Sequence, residues 1–333
     1  MKALPIAPPF PPMEAAAVDE IPEGSEWQYE PKWDGFRCLA FRNDNEIELQ
    51  SKSGKPLARY FPDVVRSIKT LRAKRFVLDG EIVIPEGSGF SFDELLQRIH
   101  PAESRVNKLA SEHPALFMVF DLLVTEKEKL IVNEPLAERR KLLEAFAAKI
   151  LKPDGDVRLS DATRNLKQAK AWLNSVGKKI DGVIAKRVDM GYDSGERTAM
   201  QKIKKLRTAD CVVGGFRYAS NGKGIGSLLL GLYDKEDLLH HVGFTSGLTP
   251  EERKSLQPKL ERLVKEPGFT GRSPGGPSRW NPGAPKEWRP LKSKLVVEVQ
   301  YDHFTGGRFR HGTKLLRWRP DKSARQCTFD QIQ

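Results

Sequence analysis

Four short segments of this 333-residue chain put charged side chains where an apolar strand would not want them. Glu30-Pro31-Lys32-Trp33-Asp34-Gly35 sets an amine at a strand end, just before a glycine turn. Leu78-Asp79-Gly80-Glu81-Ile82-Val83 holds two carboxylates inside an apolar run, and Asp181-Gly182-Val183-Ile184-Ala185-Lys186 repeats the device with Asp181. Lys202-Ile203-Lys204 returns two amines to one face, because strand side chains alternate with a period of two. If these faces converge, amines and carboxylates share one site. Such a site can hold Mg²⁺ through carboxylates and a nucleotide phosphate through lysines. Singly, each segment is ordinary. Asp-Gly occurs in hairpin turns and Lys-Ile-Lys on exposed edge strands. Their order and spacing together carry the weight.

The elements that must position them follow from periodicity. Alternation predicts strands over 27–31, 36–42 and 46–51, with Asn43-Asp44-Asn45 as a hairpin turn. Val64, Val65, Ile68 and Leu71 share a helical face, which predicts a helix over 61–73. A strand over 76–84 and a short helix over 92–99 capped by Ser91 come next. They lead to a strand over 116–124, helices over 136–150 and 166–176, and strands over 183–187 and 200–204. Residues 1–26 are expected to wrap a surface. Helices and strands alternate without the rhythm of a doubly wound sheet, which predicts α+β with antiparallel sheets. Beyond Asp210 the strands crowd together, over 212–218, 227–233, 238–245, 295–302 and 314–319. One helix over 250–265 and a Gly/Pro-rich stretch over 267–290 interrupt them. Five strands and one helix in a small basic module predict an OB-fold β-barrel. The expected domains are 1–208 and 209–333.

Charge supports that division. The chain carries a net charge of +12, and residues 209–333 alone hold 21 basic against 13 acidic side chains. Trp280, Trp288, Phe304, Phe309 and Trp318 are interleaved with those charges, a composition that suits a polyanion with stackable bases. The alternative is a solvated basic surface. No apolar run approaches the ~18 residues of a membrane helix, so no membrane span is expected. The opening Met1-Lys2-Ala3-Leu4-Pro5 leads into prolines, not an apolar signal segment. Cys38, Cys211 and Cys327 are odd in number and scattered, which argues against a disulfide framework or a structural zinc site. A cytosolic compartment is expected.

Read in order, the segments resemble the covalent nucleotidyltransferases: ATP-dependent DNA ligases, RNA ligases and mRNA capping enzymes. Lys32-Trp33-Asp34-Gly35 resembles the nucleophile motif. Ser51-Lys52-Ser53-Gly54 is similar to the S-R-x-G element, with Lys for the usual Arg. Asp79-Gly80-Glu81 resembles the third motif, and Phe117 to Leu122 the adenine-stacking strand, with Phe120 as the ring. Asp181-Gly182-Val183 resembles E-G-x with Asp for Glu, Lys202-Ile203-Lys204 the K-x-K motif, and Arg319-Pro320-Asp321-Lys322 the R-x-D-K motif of the OB domain. The likeness covers roughly 12–325. Residues 302–322 look most similar to the bacterial ATP-dependent ligase C type. Lys52 keeps charge but loses a bidentate fork. Asp181 is one methylene shorter than Glu.

The resemblance implies an adenylation domain followed by an OB domain, and an ATP-dependent DNA ligase that seals nicked duplex DNA in three nucleotidyl transfers. Lys32 would attack the α-phosphate of ATP and form a lysyl-adenylate. At an ordinary lysine pKa near 10.4, only about one amine in a few thousand is neutral at pH 7. Burial, Lys202, Lys204 and a metal are expected to favour the free amine. Glu81 and Asp181 would hold Mg²⁺, or Mn²⁺ in its place. Lys202 and Lys204 would contact the phosphate, Phe120 would stack on adenine, and Glu30 would sit at its amino edge. Arg37 and Lys52 would face the ribose and later the DNA 5′-phosphate. Arg319 and Lys322 would orient the pyrophosphate, and 208–211 would serve as the hinge of a mobile domain. A monomer is expected, cytoplasmic and nucleoid-associated, acting in DNA repair with a gap-filling polymerase as partner. Two alternatives compete: an RNA ligase or capping-type nucleotidyltransferase, and a non-catalytic OB-type nucleic-acid-binding protein.

Overall fold

The computed structural model describes residues 3–176, 180–219, 224–275 and 287–332, so Trp280 and part of the Gly/Pro-rich stretch lie outside the described residues. The chain forms two compact units, Met1–Lys205 and Leu206–Gln333. Among the described residues no helix is long and apolar enough to cross a membrane.

The first unit is built on two sheets. One has the order Ala16–Ala17, Met200–Lys204, Ile180–Arg187, Trp27–Trp33. The other has the order Glu46–Ser51, Phe36–Asn43, Arg75–Val83, Leu116–Val124, Val157–Leu159. Pairing is antiparallel except for Ala16–Ala17 and Val157–Leu159, which join their neighbours in parallel. The chain passes from the first sheet to the second at Asp34-Gly35. A Cβ on Gly35 would stand 2.2 Å from the Ile82 carbonyl oxygen, so this crossing requires glycine.

Each sheet is sealed on one face. Cys38, Ala40, Leu78, Ile82, Phe117 and Val119 of the second sheet share a core with Val64, Ile68, Leu143 and Phe146. The last four come from helices Pro62–Thr70 and Leu136–Ile150. Each such side chain contributes about 1.5–3 kcal/mol by leaving water. On the first sheet, Tyr29, Val183, Ala185 and Ile203 pack with Ala169 of helix Leu166–Asn174. With one face of each sheet committed to apolar packing, charged residues at alternate positions point to the other.

Several boundaries differ from expectation. The helix expected over 61–73 is Pro62–Thr70, and Leu71 is already extended. Elements of the first unit that were not expected include helix Glu103–Glu112, the three-residue strand Val157–Leu159 and the two-residue strand Ala16–Ala17, the two strands being too short to show a period. The turn at Asp44-Asn45 is a two-residue hairpin loop, with Asn43 opposite Glu46 and Asp44 at φ 57°.

The second unit is of the OB type, but its strands do not close into the expected barrel. They run in the order Leu239–Thr245, Ile225–Tyr233, Arg207–Tyr218, Val296–Tyr301, Lys314–Trp318. Among the described residues the two edges meet at a single parallel bridge, Thr245 to Thr313. The chain turns aside before Lys314 into the small hairpin of Phe304–Thr305 and Arg308–Phe309. Phe309 packs onto Gly243, where a Cβ would be 2.9 Å from its ring, in place of a continued ladder. Helix Pro250–Glu261 begins with a capping box between Thr249 and Glu252 and ends four residues before the expected Lys265. The hinge expected at 208–211 is also corrected. Thr208, Ala209, Asp210 and Cys211 are paired with Gln300, Val299, Glu298 and Val297 in an antiparallel ladder, which a hinge would have to break.

Candidate active site

Register builds the site. On the first sheet Lys32 stands opposite Gly182, which stands opposite Lys204. The next row is Glu30, Ile184 and Lys202, and the next Gln28, Lys186 and Met200. One face therefore displays Lys32, Glu30, Lys202, Lys204 and Lys186 as a grid, with a glycine between the two lysines of the first row. A Cβ on Gly182 would lie 2.0 Å from the Ile203 carbonyl oxygen, so that gap cannot be filled.

Asp181 reaches this face because it is a bulge. Ile180 pairs with Trp33 and Gly182 with Lys32, which leaves Asp181 as the extra residue. Its carboxylate is buried. Oδ2 accepts from Lys32 Nζ at 2.5 Å and lies 3.0 Å from Lys204 Nζ. Asp181 thus holds two amines together, the arrangement that two lysines alone would resist.

The second sheet supplies the rest. Arg37 faces Glu81 across the pair of strands Phe36–Asn43 and Arg75–Val83. Phe120 is again a bulge residue, since Gly80 pairs with Val119 and Asp79 with Asp121. Arg37 Cζ and Lys186 Nζ each lie 4.5 Å from the centre of the Phe120 ring. Both cations are drawn to the electron-rich face of that ring.

A cavity of about 220 Å³ gathers these residues. Glu30, Lys32, Arg37, Lys52, Glu81, Phe120, Lys186 and Lys202 line it. Asp181 and Lys204 join them through the Lys32 ion pair. Lys52 is exposed and meets Glu14 at 3.2 Å. Glu30 is almost fully buried. It accepts from Gln28 at 2.9 Å and pairs with Lys186 at 2.7 Å. Burial, with Lys52, Lys32 and Lys204 behind it, lowers the pKa of Lys202. Burial pushes Glu81 up to about 7, against the pull of Lys32 and Arg37. Glu81 has no hydrogen-bond partner among the described residues.

Asp79 has a different duty from the one its place beside Glu81 suggests. It is fully buried, receives the Arg37 fork at 2.6 Å twice, and accepts from the Tyr192 hydroxyl at 2.5 Å. Asp79 keeps Arg37 charged and fixed. Tyr192, Lys186 and Glu14 were missed as parts of the site, and Asp79, expected as a carboxylate inside an apolar strand, was not given this role. Lys186 had a readable signal, a lysine inside an apolar strand two residues from Ile184. Glu14 and Tyr192 had none, because they arrive through loops.

Arg319 and Lys322 belong to the second unit. Arg319 donates to Asp210 at 2.9 and 3.1 Å and to Asp321 at 2.8–3.1 Å, and Lys322 donates to Asp210 at 2.6 Å. Among the described residues no group of three or more His, Cys, Asp or Glu stands ready for a metal ion. Mg²⁺ does not need one, since it commonly takes one or two carboxylates and completes its shell with water and substrate phosphates. The unpartnered Glu81 carboxylate fits that mode.

Residues 12–204 match the family described as ATP dependent DNA ligase domain, and 221–322 the ATP dependent DNA ligase C terminal region. DNA ligase C2 of Mycolicibacterium smegmatis is 41% identical over 99% of this chain and 96% of its own length. DNA ligase C of Mycobacterium tuberculosis is also 41% identical, over 99% of this chain and 95% of its own. A solved structure of mycobacterial DNA ligase D complexed with ATP and MES shares 26% identity at a TM-score of 0.50. The match covers 96% of this chain and 98% of that one.

Proposed function

This chain belongs to the ATP-dependent DNA ligase family, and we propose that Lys32 is the nucleophile through which it joins nicked duplex DNA. The enzyme is a DNA ligase that uses ATP. One observation carries the assignment of its residues: Lys32 opens onto a cavity that also gathers Glu30 from its own strand and Arg37, Glu81, Lys186 and Lys202 from four others in two sheets.

In the first transfer the Lys32 amine attacks the α-phosphorus of ATP, pyrophosphate leaves, and a phosphoramide bond to AMP forms. The amine must first part from Asp181, which then keeps Lys204 near the phosphate. Lys202 and Lys204 offset charge on the α-phosphate. Phe120 stacks on adenine. Glu30, fixed by Gln28 and Lys186, receives the exocyclic amino group. Arg37, locked by Asp79, and Lys52 face the ribose and later the DNA 5′-phosphate. Glu81, with Asp181, would hold Mg²⁺, which supplies positive charge to the α-phosphate. Arg319 and Lys322 orient the pyrophosphate. AMP then passes to the 5′-phosphate of the nick, the 3′-hydroxyl attacks, and AMP leaves.

We place the enzyme in DNA repair, as a cytoplasmic, nucleoid-associated monomer. A gap-filling polymerase is the partner that would supply a nick with a free 3′-hydroxyl. The deciding experiment compares sealing of a nicked duplex with ATP, GTP and NAD, alongside nicked RNA substrates. ATP-dependent DNA sealing supports the reading; a preference for RNA ends or GTP overturns it.

A further inference from the structure

Glu30 can read a base only if its carboxylate keeps one orientation. A carboxylate accepts hydrogen bonds in its own plane, and the last torsion of a glutamate side chain is soft. Lys186 Nζ, 2.7 Å from Oε2, pulls on one oxygen. A single ammonium, with three equivalent N–H bonds, leaves the carboxylate free to turn. Gln28 supplies a second hold: its Nε2 donates to Glu30 Oε1 at 2.9 Å. The amide must present its nitrogen there, because a carboxylate only accepts. With a donor on each oxygen, the plane of the group is fixed.

Gln28, Glu30 and Lys186 are 6%, 2% and 2% exposed, so water competes little for these contacts. Gln28 and Lys186 stand opposite each other in the ladder between Trp27–Trp33 and Ile180–Arg187. Glu30 follows Gln28 by two residues and so shares its face. Glu30 and Lys186 line the cavity, whereas Gln28 is not among its lining residues. Gln28 therefore acts on a bound nucleotide only through Glu30. Adenine offers an amino group at position 6, with its N–H bonds in the plane of the ring. Guanine and hypoxanthine carry a carbonyl oxygen at that position. An acceptor held in one plane favours the first and opposes the second, since two acceptors cannot share a hydrogen.

We propose that Gln28 is a specificity-determining positioning residue: by fixing the plane of the Glu30 carboxylate it sets the preference for a 6-aminopurine nucleotide over a 6-oxopurine one. The inference rests on the reading of Glu30 as the group that meets the base. Without the Gln28 donor, Oε1 loses its partner and the carboxylate is free to follow Lys186. The amino group then meets a misaligned acceptor, and the opposition to a carbonyl oxygen weakens. Lys32 keeps its place, because its partner is Asp181 and not Gln28. The base is remote from the reacting phosphorus, so the contact is equal in ground and transition states. Its loss belongs to KM and not to kcat.

The test measures acid-stable labelling of the full chain by three α-labelled nucleotides: ATP, ITP and purine riboside triphosphate, which has only hydrogen at position 6. Ratios of kcat/KM are taken within one preparation, so the fraction of folded enzyme cancels. Gln28→Met keeps the reach of the side chain and removes its donor. It should raise KM for ATP and lower the ratio of ATP to purine riboside triphosphate on the order of tenfold, as loss of one charge-assisted hydrogen bond would. The ratio of ATP to ITP should fall by a similar factor, with kcat for ATP within about twofold of the parent. Gln28→Ala, which opens space where Met fills it, should give the same ratios and guards against a packing fault in either variant. Equal loss with all three nucleotides would make Gln28 a support of the strand alone and overturn the inference. Parent ratios in both Gln28 variants, with Glu30→Gln erasing the preference, would overturn it too. Parent ratios in Glu30→Gln would instead count against Glu30 as the group that meets the base.

Discussion

The two units handle positive charge in opposite ways. In the first, every lysine of the grid that faces a carboxylate is held by it: Lys32 and Lys204 by Asp181, Lys186 by Glu30. Arg37 is forked onto Asp79. In the second, Arg319 and Lys322 share Asp210, but among the described residues Arg217 and Arg308 pair with no carboxylate. Paired buried charges are fixed before the substrate arrives, which suits a centre where a reacting phosphate must meet groups already in place. Unpaired, partly exposed arginines suit a polyanion that is bound wherever its backbone passes. The difference separates chemistry from grip within one basic chain.

The comparison breaks most visibly at Lys32. Lys32→Ala should lower acid-stable labelling by radioactive ATP by a factor on the order of 10⁴ or more, because of the lysines that line the cavity it alone stands at the end of its strand, before the Asp34-Gly35 turn. Persisting label would move the nucleophile elsewhere. No single arginine of the second unit should have an effect of that size.

Arg319 and Lys322 test which side of the division that pair falls on. Replacing both by alanine should slow formation of lysyl-adenylate by about 10²–10³-fold and spare sealing of a nick already carrying AMP, since that reaction involves no pyrophosphate. If they are grip and not chemistry, both half-reactions should weaken together, and more at high salt. Measuring the two side by side at two salt concentrations decides between these outcomes.

Asp181 sharpens the claim about pairing. Asp181→Ala leaves Lys32 and Lys204 to repel each other and should reduce kcat/KM for adenylylation by about 10²-fold. Asp181→Glu keeps the charge and should stay within about tenfold of the parent. A fully active alanine variant would mean that the two amines are held by something other than this carboxylate.

How much of this was open to sequence reasoning divides along the same line. Glu30, Lys32, Lys202 and Lys204 were legible because they obey the period of two, and a strand keeps that period on one face. Phe120 and Asp181 break it. Both sit at bulges, where one extra residue re-aims the chain, and periodicity carries no trace of that. Alternation found neither: Asp181 stood out as a carboxylate inside an apolar run, and Phe120 came from the motif resemblance. Asp79 was visible as a buried carboxylate, but its duty toward Arg37 and Tyr192 depends on a residue more than a hundred positions away. In the second unit five strands and one helix were legible from spacing, whereas closure was not. Whether edges meet depends on where the hairpin at 304–309 goes, and two-residue strands have no period to read.

Glu81 gives the smallest expected effect and tests the first unit where its pairing is incomplete. Its carboxyl titrates at about 7 in the folded chain against an ordinary value of 4.5, with burial as the main cause. Between those two pH values the native state binds more protons than the unfolded state. Stability therefore falls as pH rises through this window, and the loss is complete above about pH 7. Glutamine has the same shape and cannot ionise. In metal-free buffer Glu81→Gln should match the parent in Tm below about pH 4.5 and exceed it at pH 8, by on the order of 2–4 °C. The sign is the informative part. Replacing a carboxylate that was already satisfied by Lys32 or Arg37 would lower Tm at pH 8, because it would strip a partner from a cation. A gain at pH 8 would show instead that the fold keeps this one charge unanswered, as an active site awaiting a cation would. A Tm difference of the same size at pH 4.5 and pH 8 would trace the effect to packing and remove ionisation of Glu81 from the account.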